Sequence, residues 1–114
     1  MRKVFKDIAR ITKEIGVTKE KNVCKLVEEF GELGQEMNKE FGIKNGILDR
    51  KEIKGELADC IQILISIANQ YNITYNELVA ELNAKNIKWL NKYKEEVILK
   101  TKVKAKIKIK KKAK

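Results

Sequence analysis

Five acidic residues fall into two short blocks, Glu28, Glu29 and Glu32 in one and Glu56 and Asp59 in the other. Each block holds an acid three residues from another, Glu29-x-x-Glu32 and Glu56-x-x-Asp59. On a helix that spacing puts both side chains on one face. Two such pairs facing each other supply only oxygen ligands. Hard divalent cations, Mg²⁺ or Mn²⁺, prefer such ligands and keep waters or phosphate oxygens in their remaining positions. The chain has no histidine. Ser-His-Asp, Cys-His and histidine-metal chemistries are therefore excluded. Cys24 and Cys60 lack metal-ligand spacing and read as buried thiols of a reducing compartment.

Helices must carry these blocks. Val4, Phe5, Ile8, Ile11 and Ile15 recur at helical spacing, predicting a helix from about Arg2 to Ile15 that Gly16 ends. Thr18 can cap a second helix reaching about Lys39. Its apolar stripe is Val23, Leu26, Val27, Phe30, Leu33 and Met37. Phe41 to Leu48 reads as a loop, with Asn45-Gly46 as the turn. Asp49 can cap a third helix that ends near Tyr71 and Asn72. Thr74, with Glu77 three residues on, opens a fourth. It carries Leu78, Val79, Leu82, Ile87, Leu90 and Tyr93. The expected fold is an all-α bundle of about four helices.

A projection at about 100° per residue separates the acids. On the second helix Glu29 borders the apolar stripe, and Glu28 points farther out. Glu28 and Glu36 are most simply read as solvated. On the third helix Glu56 falls among Ile53, Cys60, Ile63 and Ile67, inside the apolar face, and Asp59 sits at its edge. That face spans roughly 200°, wider than the stripe of a surface helix. It is expected to be covered both by its own chain and by a partner subunit. A carboxylate among isoleucines needs compensation. Two unit charges about 5 Å apart repel by about 3 kcal/mol at an effective dielectric of about 20. A divalent ion is the economical remedy, since Lys54 is poorly placed to reach Glu56.

The chain has 114 residues, no proline and six glycines, and a net charge of +10. The basicity is local. From Lys94 onward there are ten lysines against Glu95 and Glu96, whereas residues 1–93 carry 16 basic and 14 acidic groups. Residues 1–100 are expected to form one all-α domain. The Lys-rich tail, 101–114, alternates lysine with apolar residues. Disorder is its leading reading, with a helix extension or a strand added to a partner as alternatives. No apolar run approaches the roughly 20 residues of a membrane span. The N-terminus lacks the apolar segment of a secretory peptide. A cytoplasmic protein with no membrane partner is expected.

Lys25-Leu-Val-Glu-Glu-Phe-Gly-Glu-Leu followed by Gly55-Glu-Leu-Ala-Asp59 resembles the all-α NTP pyrophosphohydrolases of the MazG type, related to the dimeric dUTPase superfamily. Their signature is Glu-Glu-x-x-Glu and, after a loop, Glu-x-x-Asp. The resemblance runs from about Val23 to Tyr93. It implies a helical bundle that assembles as a homodimer or homotetramer and hydrolyses an NTP or dNTP to the monophosphate and pyrophosphate. It implies Glu29, Glu32, Glu56 and Asp59 as ligands of Mg²⁺, with Mn²⁺ as an alternative. Glu28 and Glu29 are the implied catalytic acids, Glu28 either supporting the metal ligands from behind or helping to orient water. Lys85 and Asn86, and after them Lys88, Lys92 and Tyr93, match the family's phosphate-binding pattern. An arginine often found in that region is absent here. Trp89 reads as packing.

The chemistry agrees with the residues. Phosphoryl transfer needs positioning and charge neutralisation more than a nucleophilic side chain. Two other classes remain open at this point. One is a nucleotide-binding regulatory module with little turnover. The other is nucleic-acid binding through the basic tail, although nothing in the body resembles a recognition helix. A di-iron bundle is disfavoured, because such sites use Glu-x-x-His.

Overall fold

The computed structural model describes residues 1–112. Four helices follow in order: α1 (Arg2–Ile15), α2 (Lys19–Asn38), α3 (Arg50–Gln70) and α4 (Tyr75–Lys112). No strand occurs among the described residues. The all-α expectation holds, and the first three helices end where their local chemistry ends them. Gly16 takes the left-handed conformation (φ 69°), which a side chain resists, and its N–H closes α1 on Thr12 and Lys13 carbonyls. Thr18 Oγ1 accepts from Lys21 N at 3.1 Å and opens α2. Asp49 Oδ1 accepts from Lys51 N at 2.9 Å and opens α3. Asn72, with φ 58°, turns the chain after α3.

The chain divides into two units, Met1–Tyr75 and Asn76–Lys114. In the first, α3 packs on both α1 and α2. Polar contacts fix that packing as much as apolar ones. Phe5, Cys60, Ile65 and Ala68 are buried, and so are Thr12, Asn22, Glu36 and Ser66. Thr12 Oγ1 donates to the Ile8 carbonyl at 2.7 Å and meets Ser66 Oγ at 2.9 Å. Asn22 Nδ2 donates to Ser66 Oγ at 3.0 Å and to Gln70 Oε1 at 2.9 Å. Gln70 Nε2 in turn donates to the Val17 carbonyl at 2.8 Å. This chain of bonds ties the start of α2 and the α1–α2 turn to the end of α3. Ser66 can donate to Thr12 while accepting from Asn22, so the buried hydroxyls are satisfied together.

The apolar surface is only partly covered. Val23, Val27, Phe30 and Met37 on α2 remain exposed, as do Leu57, Ile61 and Leu64 on α3. Val27 keeps 70% of its surface. Near the N-terminus Phe5 meets Tyr75 edge-to-face, with centroids 5.7 Å apart, and Arg2 lies over the same ring at 4.9 Å. The expectation of two buried thiols is half corrected, since Cys60 is buried and Cys24 is exposed.

The second unit is helical throughout its described length. α4 continues through 101–112, where disorder was the leading expectation; residues 113 and 114 lie outside the described residues. The reason is elongation. Lysine and alanine are good helix formers, and extending an existing helix avoids the cost of a new nucleus. Thr101 Oγ1 bonds back to the Val97 carbonyl at 2.9 Å within this helix.

Asn22→Ala strips Ser66 and Gln70 of a shared donor inside the packed layer. It should lower the unfolding free energy by about 1–3 kcal/mol, read from urea denaturation with an unchanged slope.

Candidate metal centre

α2 and α3 run antiparallel, and two sets of contacts at opposite ends of the pair set their register. At one end Asn22 meets Ser66 and Gln70. At the other, Asp49 N donates to Glu36 Oε1 at 3.2 Å. Glu29 stands seven residues from both Asn22 and Glu36. Glu56 stands seven residues from Asp49, and Asp59 seven from Ser66. Seven residues are about two helical turns, so on each helix an acid stands about two turns inward from each anchor. The register that satisfies the anchors therefore brings the acids of α2 against those of α3.

Glu29, Glu32 and Glu56 converge. One carboxylate oxygen from each lies within 4.8 Å of the others. Glu29 and Glu56 are half-buried and Glu32 is exposed. Glu29 Oε2 and Glu56 Oε2 are both shut off from solvent with no hydrogen-bond donor. Burial, followed by the charges of Glu32 and Asp59, raises the Glu29 carboxyl above its ordinary range. Glu56 is raised by the same causes in the same order. Cys60, buried beside them, has its thiol pushed up by burial and then by the Glu29 charge. A metal can be held here by oxygen donors alone. The two orphaned oxygens fit such an ion, which would satisfy both and offset the repulsion.

The other candidate residues are placed differently. Asp59 is exposed and outside the three-acid set, yet close enough that its charge acts on Glu29 and Glu56. Glu28 points to solvent and pairs with Lys25 at 3.8 Å. Lys85, Asn86, Lys88, Lys92 and Tyr93 are all exposed on α4. Asn86 and Tyr93 share a face of that helix with Trp89 and Leu90, and Lys85 pairs with Glu81 at 3.9 Å. Trp89, expected to pack, is 75% exposed. Glu36, read from sequence as solvated like Glu28, is buried and bonded instead. Its signal was available, because Asn22, Glu29 and Glu36 repeat at seven-residue intervals on one line of α2.

An antiparallel helix pair that gathers carboxylates across its seam makes this an all-α protein with a candidate metal-binding acid cluster. The sequence pattern of the MazG nucleotide pyrophosphohydrolase domain matches residues 17–92, and the chain belongs to that family. A similar protein is the uncharacterized protein YpjD of Bacillus subtilis (strain 168), 33% identical over 84 residues. That match covers 66% of this chain and 76% of the relative. No solved structure matches. Members of the family are generally NTP pyrophosphohydrolases.

The raised carboxyls have a consequence for the metal-free protein. A folded-state pKa above the unfolded one means the folded state holds its proton longer. Each such group therefore favours folding at low pH, and that contribution is lost as pH rises through the folded pKa. Glu29→Gln and Glu56→Gln should each raise the melting temperature without metal. The gain over wild type should be small in acid and grow as pH rises past the ordinary carboxyl range, measured by thermal melts across pH in chelator.

Proposed function

We propose that this protein is a metal-dependent nucleoside triphosphate pyrophosphohydrolase, converting an NTP or dNTP and water into the monophosphate and pyrophosphate. The observation that carries the reading is the convergence of Glu29, Glu32 and Glu56, with two buried oxygens lacking donors. Family membership supports it.

Glu29, Glu32 and Glu56 would hold Mg²⁺ or Mn²⁺, with Asp59 completing the set from the next turn of α3. When bound, the ion supplies charge neutralisation to phosphate oxygens and acidifies a nearby water. The carboxylates would fix its place. Glu28, solvent-facing beside Glu29, is suited to orient water and accept its proton as the α–β phosphoanhydride bond breaks. Lys85 and Asn86 are proposed to contact phosphate, with Lys88, Lys92 and Tyr93 as further candidates. This role rests on the family pattern.

A homodimer or homotetramer is proposed as the working assembly. The exposed apolar residues of α2 and α3 support it, since they leave the unit with few buried apolar side chains. Among the described residues no helix is long and apolar enough to cross a membrane. Both cysteines are free thiols, which supports a cytoplasmic setting.

Pyrophosphate release from a panel of nucleotides with Mg²⁺ or Mn²⁺ tests the activity. Wild type should turn over at least one nucleotide, with Glu56→Gln and Asp59→Asn reduced about 100-fold or more. Wild type at the background rate of those variants on every nucleotide contradicts the reading. For the assembly, sedimentation should give a dimer or larger, and Val27→Glu with Ile61→Glu should shift it toward monomer.

A further inference from the structure

Glu36 is a buried acid outside the converging set. It lies on the last turns of α2, and its two oxygens serve different partners. Oε1 accepts the Asp49 N–H at 3.2 Å, and Oε2 pairs with Lys39 Nζ at 2.6 Å. Asp49 is itself the N-cap of α3. A single carboxylate therefore ties the end of α2 to the N-cap of α3, across the intervening loop. The hydrogen bond from Lys39, with that from Asp49 N, holds the Glu36 carboxyl below its ordinary range despite burial.

The loop is shaped around this pair. The Asn38 carbonyl accepts from Ile43 N at 3.1 Å and Lys44 N at 3.3 Å, folding the chain back over the end of α2. Gly46 has φ +123°, where a side chain is strained, and a Cβ there would stand 3.4 Å from Lys39 Cδ and Cε. The Lys39 stem thus passes under a glycine, its ammonium on Glu36. Lys44 Nζ donates to Gln35 Oε1 at 2.8 Å on the same turn of helix.

We infer that Glu36 is a positioning residue for the metal centre: by fixing Asp49 to α2 it sets how far α3 slides along α2, and so which acids meet. The inference rests on the function proposed above. Its geometry is direct. Glu29 lies two turns inward from Glu36 and Glu56 two turns inward from Asp49, so the clamp and the acid seam share one register. Like charges at the seam push the helices apart or out of step. A bond at the near end of α3 opposes that displacement where the Asn22 anchor, at the far end, has the least leverage.

The test compares Glu36→Leu, Glu36→Gln and Lys39→Met with two controls, Glu29→Gln at the seam and Phe5→Leu, which weakens the packing of α1 and changes no residue of α2 or α3. Two readouts are taken on each full-length protein, amide hydrogen exchange of residues 51–57 and Mn²⁺ affinity from the free-ion EPR signal. Glu36→Leu should raise exchange in the first two turns of α3 and weaken Mn²⁺ binding about tenfold or more. Glu36→Gln keeps an acceptor oxygen for Asp49 N–H and should recover most of both. Lys39→Met should fall between them. Phe5→Leu should lower the melting temperature and leave Mn²⁺ affinity unchanged, which separates positioning from general stability. Glu36→Leu binding Mn²⁺ as wild type does, while Glu29→Gln fails to bind, overturns the inference alone. Unchanged exchange in residues 51–57 overturns it as well. A wild type that binds no Mn²⁺ overturns the proposed function first, and this positioning role with it.

Discussion

Like charges meeting across a helix seam are the constraint on which the rest of this molecule depends. Glu29, Glu32 and Glu56 approach within 4.8 Å, and two of their oxygens are sealed from water without a donor. Charge repulsion among these carboxylates opposes that approach without a cation. The approach is imposed by contacts elsewhere in the pair. Asn22 with Ser66 and Gln70 fixes one end, and Glu36 with Asp49 fixes the other. The acids stand between these anchors, about two turns inward from them. Stability is thus held at the ends and given up in the middle, the arrangement expected of a site preorganised for a charged ligand.

The thinness of the apolar layer belongs to the same economy. Among the described residues, as many polar as hydrophobic ones are buried. Polar networks define register more sharply than apolar contacts do, because a slipped helix leaves donors and acceptors unpaired. They contribute less net stabilisation than a filled core. Apolar residues such as Val27, Phe30, Leu57 and Ile61 meanwhile stay on the surface. In the assembly proposed above, a second copy of the chain would cover them and add the apolar burial that the single unit lacks.

What was legible in the sequence was local. Gly16, Thr18 and Asp49 mark helix ends through their own backbone and side-chain chemistry, and α1 to α3 begin and end within a residue or two of the expected places. The acid pairs were legible because helical spacing puts Glu56 among isoleucines. Two readings failed for want of nonlocal information. Glu36 resembles Glu28, an acid on an amphipathic helix, and its partner is a backbone N–H that no residue type announces. Cys24 and Cys60 both sit in helical patterns, and only packing tells the exposed thiol from the buried one. The tail differs in kind. Alternating lysines and apolar residues suit a strand or an open coil in isolation, but continuity with a preceding helix carries 101–112 along.

The most direct measurement is anomalous diffraction from crystals soaked in Mn²⁺, collected near the manganese edge. A peak bounded by Glu29, Glu32 and Glu56, with Asp59 turned toward it, is the expected result. A seam without anomalous density, its carboxylates bonded to each other or to lysines while manganese sits elsewhere, would contradict a metal centre at this site.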